Sequence, residues 1–308
     1  MYDAAAVRFF DIAHEGARLR AVAGVIPDLR EETVRSLVVV TGDHMSRRAA
    51  ELAIAASGPA RFPMSVCAEL PPFVGPLDLV VVATARGADP VLEQALSQAA
   101  SRGAAVFLVA PGGCPLAEDA STRVQVLPGL PTSTATSPSQ IFGTVYGLVT
   151  STACGAHCAA EELELIAHNV DDELTRVAPD RDASVNLAAN LNEFVQGARI
   201  IHTAAPGFGA LADFMASYWT SAGLVSASLS LTELQEAYPR LNDGAADIFY
   251  DPFEDEAPAV LPLKIVVWGA AEAGLPGAIA QDCAPSAESE AIRLLRLLVR
   301  GLAVTAIV

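Results

Sequence analysis

The chain has 308 residues, 36 of them acidic and 19 basic, for a net charge of −17. That balance excludes a dedicated nucleic-acid binder, which needs a basic surface to displace counterions, and an anionic membrane surface as partner for the same reason. Hydrophobic residues at 52% and charged residues at 18% exclude a disordered or collagen-like chain.

The length suits about two domains, with a core that needs no metal or disulfide to fold. The five cysteines, Cys67, Cys114, Cys154, Cys158 and Cys283, are odd in number and irregularly spaced. That pattern fits a reducing cytoplasm. The first residues carry no basic run before an apolar stretch, so no signal peptide is expected. Lys264 is the only lysine.

In chain order, Ala4 to Val22 has helical spacing and reads as a surface helix. Leu37–Val40, Leu79–Val82 and Ala105–Val109 are short β-branched runs that end in glycine-bearing turns. Helical stretches follow the first two, Ser46 to Ala56 and Pro90 to Ser101. Apolar runs without alternation are strands buried on both faces, the mark of a parallel sheet covered by helices. Arg123 to Leu127 reads as a further strand. Val124 to Ala160 holds no charged residue. Its most apolar part, Ile141 to Val149, is far short of the about 20 residues that span a bilayer. It reads as a loop leading into a helix buried in the core or in a homodimer interface.

Ala159 to Val177 is helical, and Ala178 to Asp182 reads as the linker. The rhythm then restarts: a helix at Asn186–Gln196, a strand at Arg199–Thr203, a helix to Thr220, and strands at Val225–Leu229 and Lys264–Trp268. A helix at Ser289–Val299 and a last strand at Ala303–Val308 complete the chain. The expected fold class is α/β, with two flavodoxin-like lobes, 1–178 and 185–308, each a parallel sheet flanked by helices. Ligands of such sheets bind beyond the carboxyl ends of the strands. The candidate loops are therefore Thr41–Arg47, Thr84–Pro90, Thr132–Gln140 and Ala204–Gly209.

The loop Gly42-Asp43-His44-Met45-Ser46 and the segment Gly75-Pro76-Leu77-Asp78-Leu79-Val80-Val81 are similar to the sugar isomerase (SIS) fold. Arg18 to Ala23, Asn186 and Asp247 to Phe253 extend the likeness. The chain resembles the bacterial dual-specificity phosphoglucose/phosphomannose isomerase family, in a divergent and C-terminally short form. The resemblance implies two SIS lobes, a homodimer and a carbohydrate-derivative ligand such as glucose 6-phosphate or mannose 6-phosphate. It implies aldose–ketose isomerisation with no cofactor and no metal. It places ligand contacts at Ser46, Thr84, Arg86, Gly87 and Ser139.

The chain departs from the family at the groups that carry the chemistry. The second loop, in the family Ser-x-Ser-Gly-x-Thr, reads Thr84-Ala85-Arg86-Gly87-Ala88-Asp89 here. Asp89 before Pro90 is a helix N-cap, and a carboxylate there opposes a phosphate. Arg86 can pair with an anion directly. The family's base glutamate falls at Ser221 and its histidine near Ala237. Glu233 and Glu236 nearby read as surface-helix residues. The family's terminal helix, with its lysine, would begin where this chain stops. His202 and His44 are the histidines left for catalysis, and His44 reads as an exposed loop residue. These departures favour a second class of function, a catalytically decayed relative that binds a sugar phosphate or another small anion. Cys154-x-x-x-Cys158 with His157 and His168 has the residue types of a zinc site but reads as buried structural cysteines. Asp251, Glu254, Asp255 and Glu256 read as a solvated acidic loop, not a calcium site.

Overall fold

The computed structural model describes residues 4–30, 32–130, 136–242, 261–283 and 289–307. The chain forms two compact units. The first runs from Phe10 to Glu173; the second runs from Leu174 onward and includes the first residues through Phe9.

The first unit is built on five strands, β1 (Ser36–Thr41), β2 (Met64–Cys67), β3 (Asp78–Ala83), β4 (Ala105–Val109) and β5 (Val124–Val126). They form one parallel sheet in the order β2-β1-β3-β4-β5. Every residue of β1 and β3 is buried, as expected of β-branched runs covered on both faces. On one face Val38, Val40, Val80, Val82, Val106 and Leu108 pack against α4 (Pro90–Ser101). Asp78 stitches the amino end of the sheet. It accepts from Ser36 Oγ at 2.7 Å, Gly75 N at 2.7 Å and Arg35 Nε at 3.0 Å. The Gly75–Val81 segment is thus explained by structure.

The segment Ala4 to Val22 is two helices, α1 (Ala4–Ile12) and α2 (Glu15–Ala23). The second is not a surface helix, because Glu15, Arg18, Leu19 and Val22 are buried. It packs with α3 (His44–Ala56) around α6 (Pro138–Cys154). α6 is buried almost throughout, from Ser139 to Val149. Gly143 and Gly147, four residues apart, face Leu19 and Ile26 closely enough that a Cβ would stand 3.0 Å from either side chain. The uncharged stretch is therefore core helix. α5 (Pro115–Glu118) is a single turn after β4.

α6 ends at Cys154, and α7 (Ala156–Val177) begins after the one-residue turn at Gly155. Gly155 has φ +90°, a backbone conformation that favours glycine. Cys154 and Cys158 are disulfide-bonded across this turn. They are half-buried, not buried, and they are oxidised, which corrects the expectation of reduced structural cysteines. With both sulfurs in a bond they cannot serve zinc. A loop this short gains about 2 kcal/mol from chain entropy, well below what a long loop gains.

The second unit holds β6 (Arg199–Ala204), β7 (Ser226–Ser228), β8 (Leu263–Trp268) and β9 (Ala278–Gln281), all parallel in the order β7-β6-β8-β9. Asn186 caps α8 (Leu187–Val195) by accepting from Ala188 N and Ala189 N. α9 (Gly209–Ser221) and α10 (Leu231–Asn242) follow β6 and β7. The last helix, α11 (Glu290–Ile307), replaces the strand expected at Ala303–Val308. Leu294, Leu298 and Leu302 bury its inner face, and Gly301 O accepts from Trp219 Nε1 at 2.9 Å. The inward cations of α11 are Arg296 and Arg300.

The five runs at Leu37, Leu79, Val106, Ile200 and Ile265 are all interior strands of two parallel sheets. The α/β expectation of two helix-flanked parallel lobes holds.

Candidate functional site

In the first unit the chain direction of the sheet order switches between β1 and β3. The carboxyl ends of these two strands are the usual ligand position in this architecture. Three helices begin around it: α3 after β1, α4 after β3, and α6, just before which Thr136 donates Oγ1 to Thr84 O at 2.9 Å. A helix start offers unpaired amides and a positive dipole end, which together suit an anion.

Here the chain fills those positions itself. Asp43, the N-cap of α3, accepts from Ser46 N at 2.8 Å and from Ser46 Oγ at 2.7 Å. It also accepts from Ala85 N, on the second loop, at 2.7 Å. One carboxylate thus takes a helix amide, a serine hydroxyl and a cross-loop amide. At α4, Asp89 accepts from Val91 N at 3.0 Å, with Pro90 at the first helical position. At α6, the buried Glu15 accepts from Ser139 N at 3.0 Å, and Ser137 Oγ accepts from Gln140 N at 3.1 Å. Burial pushes the Glu15 carboxyl up, with Ser139 and the Arg18 charge pulling the other way.

The site residues named from sequence fall out accordingly. Ser46 is buried and its amide and hydroxyl are committed to Asp43. Thr84 is buried, and its Oγ1 accepts from Arg86 N at 2.9 Å. Gly87 lies on the same loop, its carbonyl facing Leu116 N at 3.5 Å. Ser139 is buried with its amide on Glu15. Arg86 is exposed, and its guanidinium makes no hydrogen bond or ion pair with the described residues. Thr132, Ser133 and Thr134 lie outside the described residues, as do Asp247–Phe253 and the acidic group Asp251, Glu254, Asp255 and Glu256. Asp43 is the residue that sequence reasoning missed.

Gly42 keeps the loops close. A Cβ there would stand 2.7 Å from Leu92 Cδ1 and 3.1 Å from both Asp89 Oδ2 and Thr84 Oγ1. Gly42→Ala is expected to cost about 1–3 kcal/mol in urea unfolding, the usual range for overpacking. An unchanged midpoint would show that the loops yield.

Ser221, at the end of α9, is exposed and donates to Tyr218 O at 2.6 Å. Glu233 forms a capping box with Ser230, accepting from its amide at 2.9 Å and its hydroxyl at 2.6 Å. Lys264 lies over the Phe194 ring at 4.5 Å. His44 is exposed at the start of α3.

His202 is fully buried in β6, which removes it as a mobile catalyst. Its ring lies 4.7 Å from Trp219 and 6.0 Å from Trp268. Trp268 Nε1 donates to its Nδ1 at 3.0 Å, so the proton of the neutral ring sits on Nε2, which has no partner among the described residues. Burial pushes its pKa down to about 3.

Among the described residues no three His, Cys, Asp or Glu side chains gather into a metal set, and no helix is long and apolar enough to cross a membrane. A groove of about 460 Å³ beside α4, lined by Leu96, Ala100, Leu116 and Arg123 among others, contains none of the candidate residues.

No family model matches the chain, and no curated protein matches it. Solved structures do. A candidate sugar-binding protein of Salmonella typhimurium LT2 superposes with a TM-score of 0.65 at 13% identity, over 98% of this chain and 99% of that one. Tagatose-6-phosphate ketose/aldose isomerase of Escherichia coli gives 0.63 at 12% identity, over 100% and 95%. The C-terminal domain of glucosamine-fructose-6-phosphate aminotransferase of Francisella tularensis gives 0.61 at 14% identity, over 99% and 97%. At these identities the likeness is one of fold. The chain has the two-sheet α/β architecture of SIS-type proteins, among which phosphosugar isomerases recur.

Proposed function

We propose that this protein is an SIS-fold binding module for a carbohydrate derivative and does not isomerise it. The observation that carries the reading is Asp43, which takes the amides and hydroxyl a ligand phosphate would need. The ligand is a hexose derivative related to glucose 6-phosphate or mannose 6-phosphate, held at the loops of Ser46, Thr84, Arg86, Gly87 and Ser139. An anionic group on it is met by Arg86, the cation left exposed there, rather than by helix amides. The protein acts in the cytoplasm and, as the family resemblance implies, as a homodimer.

Moving a proton between C2 and C1 needs a base within hydrogen-bond reach, worth roughly 10²- to 10⁴-fold in rate. Ser221 spends its hydroxyl on a helix carbonyl, and a serine without a partner base is too weak. Losses of groups that act as a unit compound. In coupled assays on glucose 6-phosphate, fructose 6-phosphate and mannose 6-phosphate, the purified protein is expected to give no turnover above a blank. Robust turnover that disappears in Glu15→Gln or His44→Ala would overturn the reading and name the surviving acid or base.

A further inference from the structure

We propose that Cys154 and Cys158 form a thiol–disulfide exchange site that cycles between disulfide and dithiol in the folded protein. Its redox partner is a low-molecular-weight thiol, Cys158 is the attacking sulfur and Cys154 the resolving one. The two sulfurs occupy helix ends of opposite polarity. Cys158 is the third residue of α7, where the dipole and free amides favour a thiolate. Cys154 is the last residue of α6, where the carbonyls favour a protonated thiol. Its Sγ lies 3.5 Å from Thr150 O, an acceptor ready for the thiol proton once the bond is reduced.

The turn does not depend on the sulfur bond. Gly155 N donates to Ser151 O at 2.9 Å, Ala159 N donates to Gly155 O at 3.0 Å, and Gly155 supplies the positive φ. Reduction therefore leaves the cysteines side by side. Both residues are half-buried, as is Cys67, whereas Cys114 and Cys283 are buried. The nearby polar side chains are His157, 3.4 Å from Glu161, and Arg30, paired with Asp28.

In oxidation the Cys158 thiolate attacks one sulfur of R′S–SR′, forming a mixed disulfide and expelling R′S⁻, which takes a proton. Cys154 then loses its proton to solvent and attacks Cys158 Sγ, expelling the second R′S⁻. Two cysteine thiols are oxidised and one external disulfide is reduced to two thiols. The reverse consumes two external thiols.

The test equilibrates the full chain in glutathione buffers of varied ratio at pH 7, followed by acid quench, alkylation and peptide mass mapping. The peptides bearing Cys154 and Cys158 should pass reversibly between zero and two labels, with an unchanged circular dichroism spectrum. In Cys154→Ala, iodoacetamide should label Cys158 about tenfold faster than it labels Cys154 in Cys158→Ala. Light and heavy alkylation of the reduced wild type reads the same order without any variant. A pair that stays fully labelled at every ratio, one that resists excess dithiothreitol until the protein unfolds, or an equal or reversed rate order would overturn the proposal.

Discussion

Asp43→Gly is expected to bind mannose 6-phosphate about 10- to 100-fold more tightly than the wild type. The substitution removes a negative charge from the place a phosphate oxygen would occupy and releases Ser46 N, Ser46 Oγ and Ala85 N. Two like charges about 4 Å apart repel by roughly 1 kcal/mol in water and about 4 kcal/mol at the effective dielectric of a partly buried site. A shift of 1.4–2.7 kcal/mol within that span is a factor of about 10 to 100. Glycine is chosen because it costs an N-cap only a few tenths of a kcal/mol relative to aspartate, whereas alanine costs roughly 0.5–2. Asp89→Thr should act in the same direction with a smaller effect, since threonine still caps α4 and Asp89 holds Val91 N of its own helix, whereas Asp43 holds an amide of the other loop. Calorimetry showing equal or tighter binding by the wild type would contradict the account.

The second expected result is a loss of stability in acid that traces to His202. Its pKa is about 3 in the folded chain against 6.5 when exposed. Above pH 6.5 the ring is neutral in both states and contributes no pH dependence. Below it the unfolded chain takes a proton that the folded chain refuses. The stability held at neutral pH therefore falls by about 1.4 kcal/mol per pH unit, approaching roughly 5 kcal/mol near pH 3. His202→Asn keeps an acceptor for the Trp268 indole and cannot be protonated. It should start less stable at pH 7, because it leaves space beside Trp219, and should lack this slope between pH 6 and 4. Identical slopes in the two proteins would show that His202 is not the group responsible.

The sheets were legible because β1, β3, β4, β6 and β8 are buried on both faces, which forces β-branched runs that a reader can see. The edge strands β2 and β9 were not, because half-buried Met64–Cys67 and Ala278–Gln281 need no such composition. The end of α11 reads as a strand through Val304, Thr305 and Ile307, but packing of the whole helix against α8 and α9 overrides local preference.

At the site, Asp89 announced itself because capping by Asp-Pro is local. Asp43 did not, since its role depends on Ala85, 42 residues away. His202 likewise reads as an available histidine until the fold closes Trp219 and Trp268 around it.

The central claim is that the amides at the starts of α3, α4 and α6 are taken by the chain's own side chains and not by a ligand anion. It is tested most directly by titrating the ¹⁵N-labelled wild-type protein with inorganic phosphate and with mannose 6-phosphate while following the Ser46 and Ala85 amide resonances. The account predicts that these two amides stay where Asp43 holds them, in wild type, at concentrations that saturate Asp43→Gly. Saturable shifts of both amides in the wild type would show phosphate displacing Asp43, and would contradict it.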